Sequence, residues 1–357
     1  MSGTSLDGID AVVADFAAGC RRLAATHIGF PSDLRRELLA LQEPGPDEIV
    51  RAARAANALA DLYAHAIRSV CMAAGVEPHD LVAAGVHGQT IRHRPHEGWT
   101  SQVNNPSRVA EKAYVTVVAD FRMRDIAAGG HGAPLVPAFH AAMFRDPDRH
   151  RVVANLGGIA NITDLPPRGA VRGFDTGPAN VLLDMWHARH EGGAYDARGA
   201  FAGKGTVDQR LLEAMLREPY FAATPPKSTG RDLFNAAWLD RVASGFTGTT
   251  QDMQATLAEL TAQSLARAIR EHCAGVSELF VCGGGAANDD LMRRIRAALP
   301  DVRVATTDTI GIASSDVEAL AFAWLARETI AGRPGNVPEV TGAAGPRVLG
   351  AIYPRGA

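Results

Sequence analysis

Glycine-rich polar turns at the ends of apolar runs recur four times in this 357-residue chain, and that recurrence constrains its fold more than any other feature. The first turn, Ser2-Gly3-Thr4-Ser5-Leu6-Asp7-Gly8, leads into an apolar stretch over residues 9–16. The others are Asn155-Leu156-Gly157-Gly158-Ile159-Ala160-Asn161, Phe174-Asp175-Thr176-Gly177-Pro178 and Val281-Cys282-Gly283-Gly284-Gly285. Open α/β sheets bind ligands where their strands end. Glycine leaves backbone N–H groups unobstructed there, so main chain and hydroxyls can hold an anion. One such turn is usually structural. Two of hairpin type, with a triple glycine opening a helix, read as a nucleotide clamp. Gly3, Thr4, Ser5, Leu6, Asp7, Gly8, Ile9 and Asp10 would grip phosphate from one side and Gly157, Gly158 and Asn161 from the other. An adenine ring would lie on the bare backbone of Gly283, Gly284 and Gly285.

The intervening sequence reads as alternating strands and helices. Residues 11–16 and 23–29 are predicted adjacent strands, and 47–74 a long helix with apolar residues at helical spacing. Residues 81–86 and 115–119 are short strands ending in His87-Gly88-Gln89-Thr90 and Asp120-Phe121-Arg122, and 133–144 is a helix. The pattern then restarts. Strands are predicted over 151–156, 159–165, 171–174, 279–282 and 302–305, and helices over 179–190, 206–218, 252–273, 288–299 and 315–331. Residues 348–352 suit a further strand. Two copies of a strand, glycine turn, strand layout predict a two-lobed α/β protein with a nucleotide cleft between the lobes. Lobe I would span residues 1–145, completed by 314–357, and lobe II residues 146–313.

Several function classes are disfavoured. A formal net charge of −3, without a block of Lys and Arg, gives no footprint for nucleic acid. No apolar run approaches the ~20 residues of a membrane span. The opening residues lack a basic segment followed by an apolar one, so the expectation is a cytoplasmic protein. Cys20, Cys71, Cys273 and Cys282 are scattered and suit free thiols in a reducing compartment rather than zinc. A homodimer is compatible with the sequence and not required by it.

The motifs, taken in order along nearly the whole chain, resemble those of the anhydro-N-acetylmuramic acid kinase family. The resemblance rests on the first turn through Asp10, on residues 155–161 and on Gly173-Phe174-Asp175-Thr176-Gly177-Pro178. It extends to His87-Gly88-Gln89-Thr90, Asp120-Phe121-Arg122, Gly129-Gly130-His131-Gly132-Ala133-Pro134-Leu135, Ser228-Thr229-Gly230-Arg231 and Ser315-Asp316-Val317-Glu318-Ala319. It implies the two-lobed, RNase H-like fold of the hexokinase, Hsp70 and actin superfamily, with ATP and Mg²⁺. It further implies a bridged sugar acid as the second small-molecule substrate, in peptidoglycan recycling and amino-sugar metabolism. Family members carry an apolar strand ahead of the first turn, whereas this sequence opens within it, so a strand-forming extension is expected to tighten ATP binding. Tyr195-Asp196-Ala197-Arg198-Gly199 also departs from the family's Asp-x-Asp-Gly form. Rival readings are another sugar or carboxylate kinase on the same fold and a non-catalytic ATP switch.

Single residues follow from this frame. Asp175 closes an apolar stretch and precedes Thr-Gly-Pro, which suits a general base at a strand end or the N-cap of the next helix. The resemblance favours the base, activating water as the anhydro bridge opens. Asp7 is either a turn-stabilising residue or the carboxylate beside Mg²⁺, which needs only one or two. His87 and His131 lack further ligands at useful spacing and suit hydrogen-bonding roles. Arg122 and Arg124 offer planar forks for the lactyl carboxylate that the resemblance implies, or ordinary surface ion pairs. Gln89, Thr90, Asp120 and Glu318 complete the expected sugar contacts.

Overall fold

Alternation sets the first hairpin in the computed structural model, which describes residues 1–3 and 6–356. Thr4 and Ser5, both expected at phosphate, lie outside the described residues. Strand β1 (Gly8–Asp15) pairs antiparallel with β2 (Arg21–Gly29), and Ile9 and Val13 on one face of β1 enter the core. The helix Glu48–Ala74 buries Leu59, Tyr63, Ile67 and Val70 along one face against that hairpin. It stops where Gly75 takes a left-handed φ of 68°.

A run expected as a strand over residues 81–86 is shorter. Only β3 (Ala84–Gly85) pairs, because the chain bends before it and leaves Val82 72% exposed. A hairpin of β4 (Gln89–Arg94) and β5 (Trp99–Val103) follows, then β6 (Val117–Ala119), parallel to β3. Among the described residues β1 and β3 are each paired along one edge. A cavity of about 410 Å³ is lined by residues 9–17, residues 81–86, Tyr63, Ile67, Val70, Ala319 and Ala323. Of the expected site residues, it takes in Ile9 and Asp10 alone.

The chain divides into two units, Met1–Met143 with Asp316–Ala357, and Phe144–Ser315. The second is built on β7 (Arg151–Leu156), β8 (Ile159–Leu165), β9 (Arg172–Pro178), β10 (Glu278–Cys282) and β11 (Arg303–Thr306). They lie in the order β11-β10-β7-β8-β9. β7 to β9 form an antiparallel meander, while β10 and β11 join in parallel. β10 is buried at every residue, as a parallel strand covered on both faces must be. The long helix Thr250–His272 begins at a reciprocal capping box between Thr249 and Asp252. This is the α/β, RNase H-like arrangement of a meander extended by parallel strands.

Two expectations in this unit change. The single helix over 206–218 is a helix Gln209–Met215 followed by a separate turn Pro219–Ala222. Pro219 lacks the N–H that would continue the first helix, and it opens the second. The strand over 171–174 runs on through Asp175 to Pro178. After residue 315 the chain rejoins the first unit through the helix Val317–Ile330 and β12 (Ala351–Tyr353), which pairs antiparallel with β6. No described helix is long and apolar enough to cross a membrane.

Candidate active site

In the second unit Asn155 of β7, Asn161 of β8 and Asp175 of β9 stand opposite one another in register. Opposed residues share one face of a sheet, so these three polar side chains form a row across it. A bulge lies at the Asp175 end: Ala160 faces Gly177 and Asn161 faces Asp175, leaving Thr176 as the extra residue. Bulges re-aim side chains and release backbone groups from the ladder. The Asp175 N–H therefore donates to the Lys227 carbonyl at 3.2 Å, and its carbonyl accepts from the Tyr220 hydroxyl at 2.7 Å. Its carboxylate Oδ2 accepts from the Thr229 N–H at 3.0 Å.

Among the described residues this is the one donor to the carboxylate, and it only partly offsets the loss of water. Burial pushes the Asp175 carboxyl up to about 6, with the Thr229 N–H acting the other way. The result is a carboxylate ionised at neutral pH that is also a competent proton acceptor. Burial, then the charge of Asp175, raise the Tyr220 phenol well above its usual range, so it stays a donor. Lys227 holds this segment together. Its Nζ lies 4.8 Å from the Tyr220 ring centre and donates to the Tyr220 and Phe221 carbonyls, both at 3.3 Å. The cap alternative for Asp175 does not hold. The next helix, Asn180–Glu191, begins after Ala179, and β9 separates Asp175 from it.

The glycine turns of this unit meet at the end of β7. Ala179 and Val181 donate their N–H groups to the Gly158 carbonyl and Asn180 to that of Gly157, so the helix starts on the β7–β8 turn. Asn180 Nδ2 also donates to the Leu156 carbonyl at 2.9 Å. Gly283 has a φ of 79°, and a Cβ there would lie 2.2 Å from Asn155 Oδ1. A Cβ on Gly285 would lie 2.6 Å from Leu156 Cβ. Only glycine lets the 283–285 turn lie this close to β7. Gly157, Gly158, Asn161, Asp175, Gly283, Gly284 and Gly285 thus share one end of one sheet.

In the first unit the central pair is His87 and Arg122. Arg122 Nε and Nη2 donate to His87 Nε2 at 3.1 and 2.9 Å, and Nη1 donates to the Gly132 carbonyl at 2.8 Å. Guanidinium can only donate, so His87 Nε2 is the acceptor and Nδ1–H donates to the Gly88 carbonyl at 2.6 Å. Burial and then the Arg122 charge hold the imidazole well below its ordinary value, so His87 is neutral. Burial also lowers Arg122, to about 10, against the opposing charge of Glu318. His87 therefore supports Arg122 rather than presenting a charge of its own. Gln89 is buried; its Nε2 donates to the Gly3 carbonyl at 3.1 Å, while Oε1 has no partner among the described residues. Thr90 accepts from Gln102 Nε2 at 3.2 Å. Asp120 turns the chain with a φ of 59°, and partial burial raises its carboxyl. Arg124 and His131 are exposed.

The first turn is mixed. Leu6 and Ile9 are core side chains, 2% and 0% exposed, so only their backbones are left for a ligand. Asp10 bonds His27 on the surface at 2.8 Å through its carboxylate. Asp7 is exposed, and no group of three or more His, Cys, Asp or Glu residues could hold a metal among the described residues. One exposed carboxylate fits Mg²⁺ carried by phosphates, which keeps several waters, and does not fit an all-protein cage.

The family model for anhydro-N-acetylmuramic acid kinase matches residues 1–355. The chain belongs to the anhydro-N-acetylmuramic acid kinase family. It is 56% identical to the anhydro-N-acetylmuramic acid kinase of Thiobacillus denitrificans, covering 99% of this chain and 96% of the relative. The enzyme of that name from Burkholderia lata is also 56% identical, covering 99% and 95%. Among solved structures, an activator of 2-hydroxyisocaproyl-CoA dehydratase from Clostridium difficile with bound ADPNP aligns at 11% identity and a TM-score of 0.44, covering 90% of this chain and 96% of that one.

In this member of the anhydro-N-acetylmuramic acid kinase family, further residues build the surroundings of Asp175. Asn155 and Thr229 lie within the 155–161 and Ser228-Thr229-Gly230-Arg231 motifs, yet Thr229 contributes a backbone N–H, which its side chain does not advertise. Tyr220 and Lys227 have no sequence signal at all. Asp184, on the helix Asn180–Glu191, is a second carboxyl raised by burial to about 6, with His187 and Arg231 opposing the shift. Asp196, in the stretch that departs from the family form, accepts from the Phe201 and Ala202 N–H groups at 2.8 and 2.9 Å and anchors its own loop.

Proposed function

We propose that this chain uses ATP to phosphorylate 1,6-anhydro-N-acetylmuramic acid while opening its anhydro bridge, giving N-acetylmuramic acid 6-phosphate and ADP. The observation that supports it most is Asp175: a carboxylate raised to about 6, held by one oxygen and with the other free of hydrogen bonds among the described residues. In this reading Asp175 takes a proton from water as the water oxygen attacks the anomeric carbon. The bond from that carbon to the bridging oxygen breaks, and its electron pair stays on the 6-oxygen. That oxygen attacks the γ-phosphorus of ATP, and the bond to the departing ADP breaks. The Thr229 N–H holds Oδ2, which leaves Oδ1 to take the proton.

Phosphoryl transfer depends mostly on positioning and charge neutralisation. Gly3, Thr4, Ser5, Gly8, Gly157, Gly158 and Asn161 would supply donors to phosphate, the backbones of Leu6 and Ile9 would assist, and Gly283 to Gly285 would leave room for adenine. When bound beside Asp7, Mg²⁺ would supply positive charge to the phosphates. Among the described residues Arg122 keeps two N–H groups beyond its bonds to His87 and Gly132, enough for a forked contact with the sugar's carboxylate. Gln89 Oε1, Thr90, Asp120 and Glu318 would meet hydroxyls. Use of ATP on a cell-wall fragment fits a cytoplasmic step of peptidoglycan recycling. Incubation with ATP and the bridged sugar acid in ¹⁸O-labelled water tests the whole scheme. The label should appear on the anomeric hydroxyl of the product. Label in phosphate, with ADP formed equally fast without sugar, would instead favour an ATP switch.

A further inference from the structure

The Arg122 guanidinium is held by His87 and by the Gly132 carbonyl, and the chain of contacts leads on to a buried carboxylate without an assigned role. Asp125 is 0% exposed, one turn along the helix Met123–Ala127 that follows Arg122. Its Oδ2 accepts from the Gly132 N–H at 2.8 Å. Its Oδ1 accepts from Asn336 Nδ2 at 2.7 Å and from Thr341 Oγ1 at 2.8 Å. The loop from Gly129 to Gly132 wraps this carboxylate so closely that a Cβ on Gly130 would lie 2.2 Å from Oδ2. The Thr341 carbonyl accepts from the His131 N–H at 2.7 Å and closes the loop from the other side. The Gly132 peptide so fixed presents its carbonyl to Arg122 Nη1.

We propose that Asp125 is the positioning residue for Arg122. It fixes Gly132, Gly132 and His87 hold opposite sides of the guanidinium, and the two remaining N–H groups are thereby directed at the substrate carboxylate. The proposal rests on the reading of Arg122 given above. A buried carboxylate suits this task because three donors converge on it, one from the loop and two from the segment around residues 336–341. With amide in place of carboxylate, an N–H would face other N–H or O–H donors, and Gly132 would shift. Loss of one buried hydrogen bond of this kind corresponds to about a tenfold change in an equilibrium.

The test is a double-mutant cycle read as Michaelis constants. Asp125→Asn should raise KM for the bridged sugar acid about tenfold, with kcat and the KM for ATP nearly unchanged. Arg122→Met should raise the same KM at least as far, and the double variant no further than Arg122→Met alone. Effects that multiply in the double variant, or an equal rise in both Michaelis constants, would mean a general structural role and overturn the proposal. An unchanged sugar KM in Arg122→Met would instead refute the reading of Arg122 itself. If Asp125→Asn fails to fold, Thr341→Val carries the test, since it removes one of the three donors and leaves the carboxylate. A smaller rise confined to the sugar KM supports the proposal; an unchanged KM overturns it.

Discussion

Replacing Asp175 by Asn tests the base and its energetic cost in one protein. The activity side is direct: an amide cannot take a proton, so turnover should fall by ~10²–10⁴ with the KM for ATP nearly unchanged. The stability side follows from the raised carboxyl. The folded protein holds this proton until about pH 6, whereas the carboxyl's ordinary value is 3.8. Stability therefore falls as pH rises from about 4 to about 6 and stays at the lower level above. At ~1.4 kcal/mol per pH unit the loss is ~3 kcal/mol. The amide carries no charge, and its oxygen still accepts from the Thr229 N–H, so the variant escapes that loss. The two proteins should be about equally stable near pH 4. At pH 7.5 the variant should melt roughly 6–12 °C higher in the transition of the 144–315 unit, at ~2–4 °C per kcal/mol. Calorimetric scans at both pH values and an ADP-release assay give all the numbers. Turnover within a few-fold of wild type would refute the base. A melting temperature at pH 7.5 that is unchanged or lower would refute the account of Asp175 as an under-compensated buried charge.

Three further outcomes follow. The kcat/KM for the sugar should fall tenfold per pH unit below an acid limb near pH 6, set by ionisation of Asp175, and a limb near pH 4 would contradict this. Tyr220→Phe removes the donor to the Asp175 carbonyl and should destabilise by ~1–3 kcal/mol while lowering kcat more than either KM, as steady-state kinetics and urea unfolding would show. Gly285→Ala presses a methyl onto Leu156 and should cost ~1–3 kcal/mol. It should raise the KM for ATP and leave that for the sugar, which a titration of each substrate separates.

The fold was legible wherever burial wrote a period into the sequence. Leu59, Tyr63, Ile67 and Val70 recur at helical spacing, and the helix Glu48–Ala74 agrees with its expected span to one residue. The apolar strands Arg151–Leu156, Ile159–Leu165 and Glu278–Cys282 were equally plain. The hairpin of β4 and β5 was not, because Arg92, His93, Arg94 and Gln102 are polar on both faces and leave no alternation to read. The helix Pro106–Ala113 carries only a local signal at its start. Asn105 caps the Arg108 N–H, and Pro106 sits at the first position where its missing N–H costs nothing. The break at Pro219 was visible too, but the apolar spacing on either side of it argued for one helix.

What the sequence could not convey is how many donors reach each carboxylate, and that count separates the roles of the buried acids. Asp125 accepts from Gly132, Asn336 and Thr341, Asp196 from two backbone N–H groups, and Asp164 from Arg172 with His150 also in contact. Charge held by two or more donors is stabilised, which makes such a group an anchor. Among the described residues Asp175 receives one donor, Thr229, and burial therefore dominates its chemistry. Its basicity comes from donors that do not arrive, and those would have to come from a segment some fifty residues away in sequence. Asp184 is also raised to about 6, yet it sits within a helix and faces the opposing charges of His187 and Arg231. Asp175 is instead in register with Asn155 and Asn161, beside the glycine turns and at the bulge that turns its backbone away from the ladder. Of two carboxyls with similar proton affinity, Asp175 is the one beside the glycine turns at 157–158 and 283–285, which is the ground for proposing it, and not Asp184, as the base.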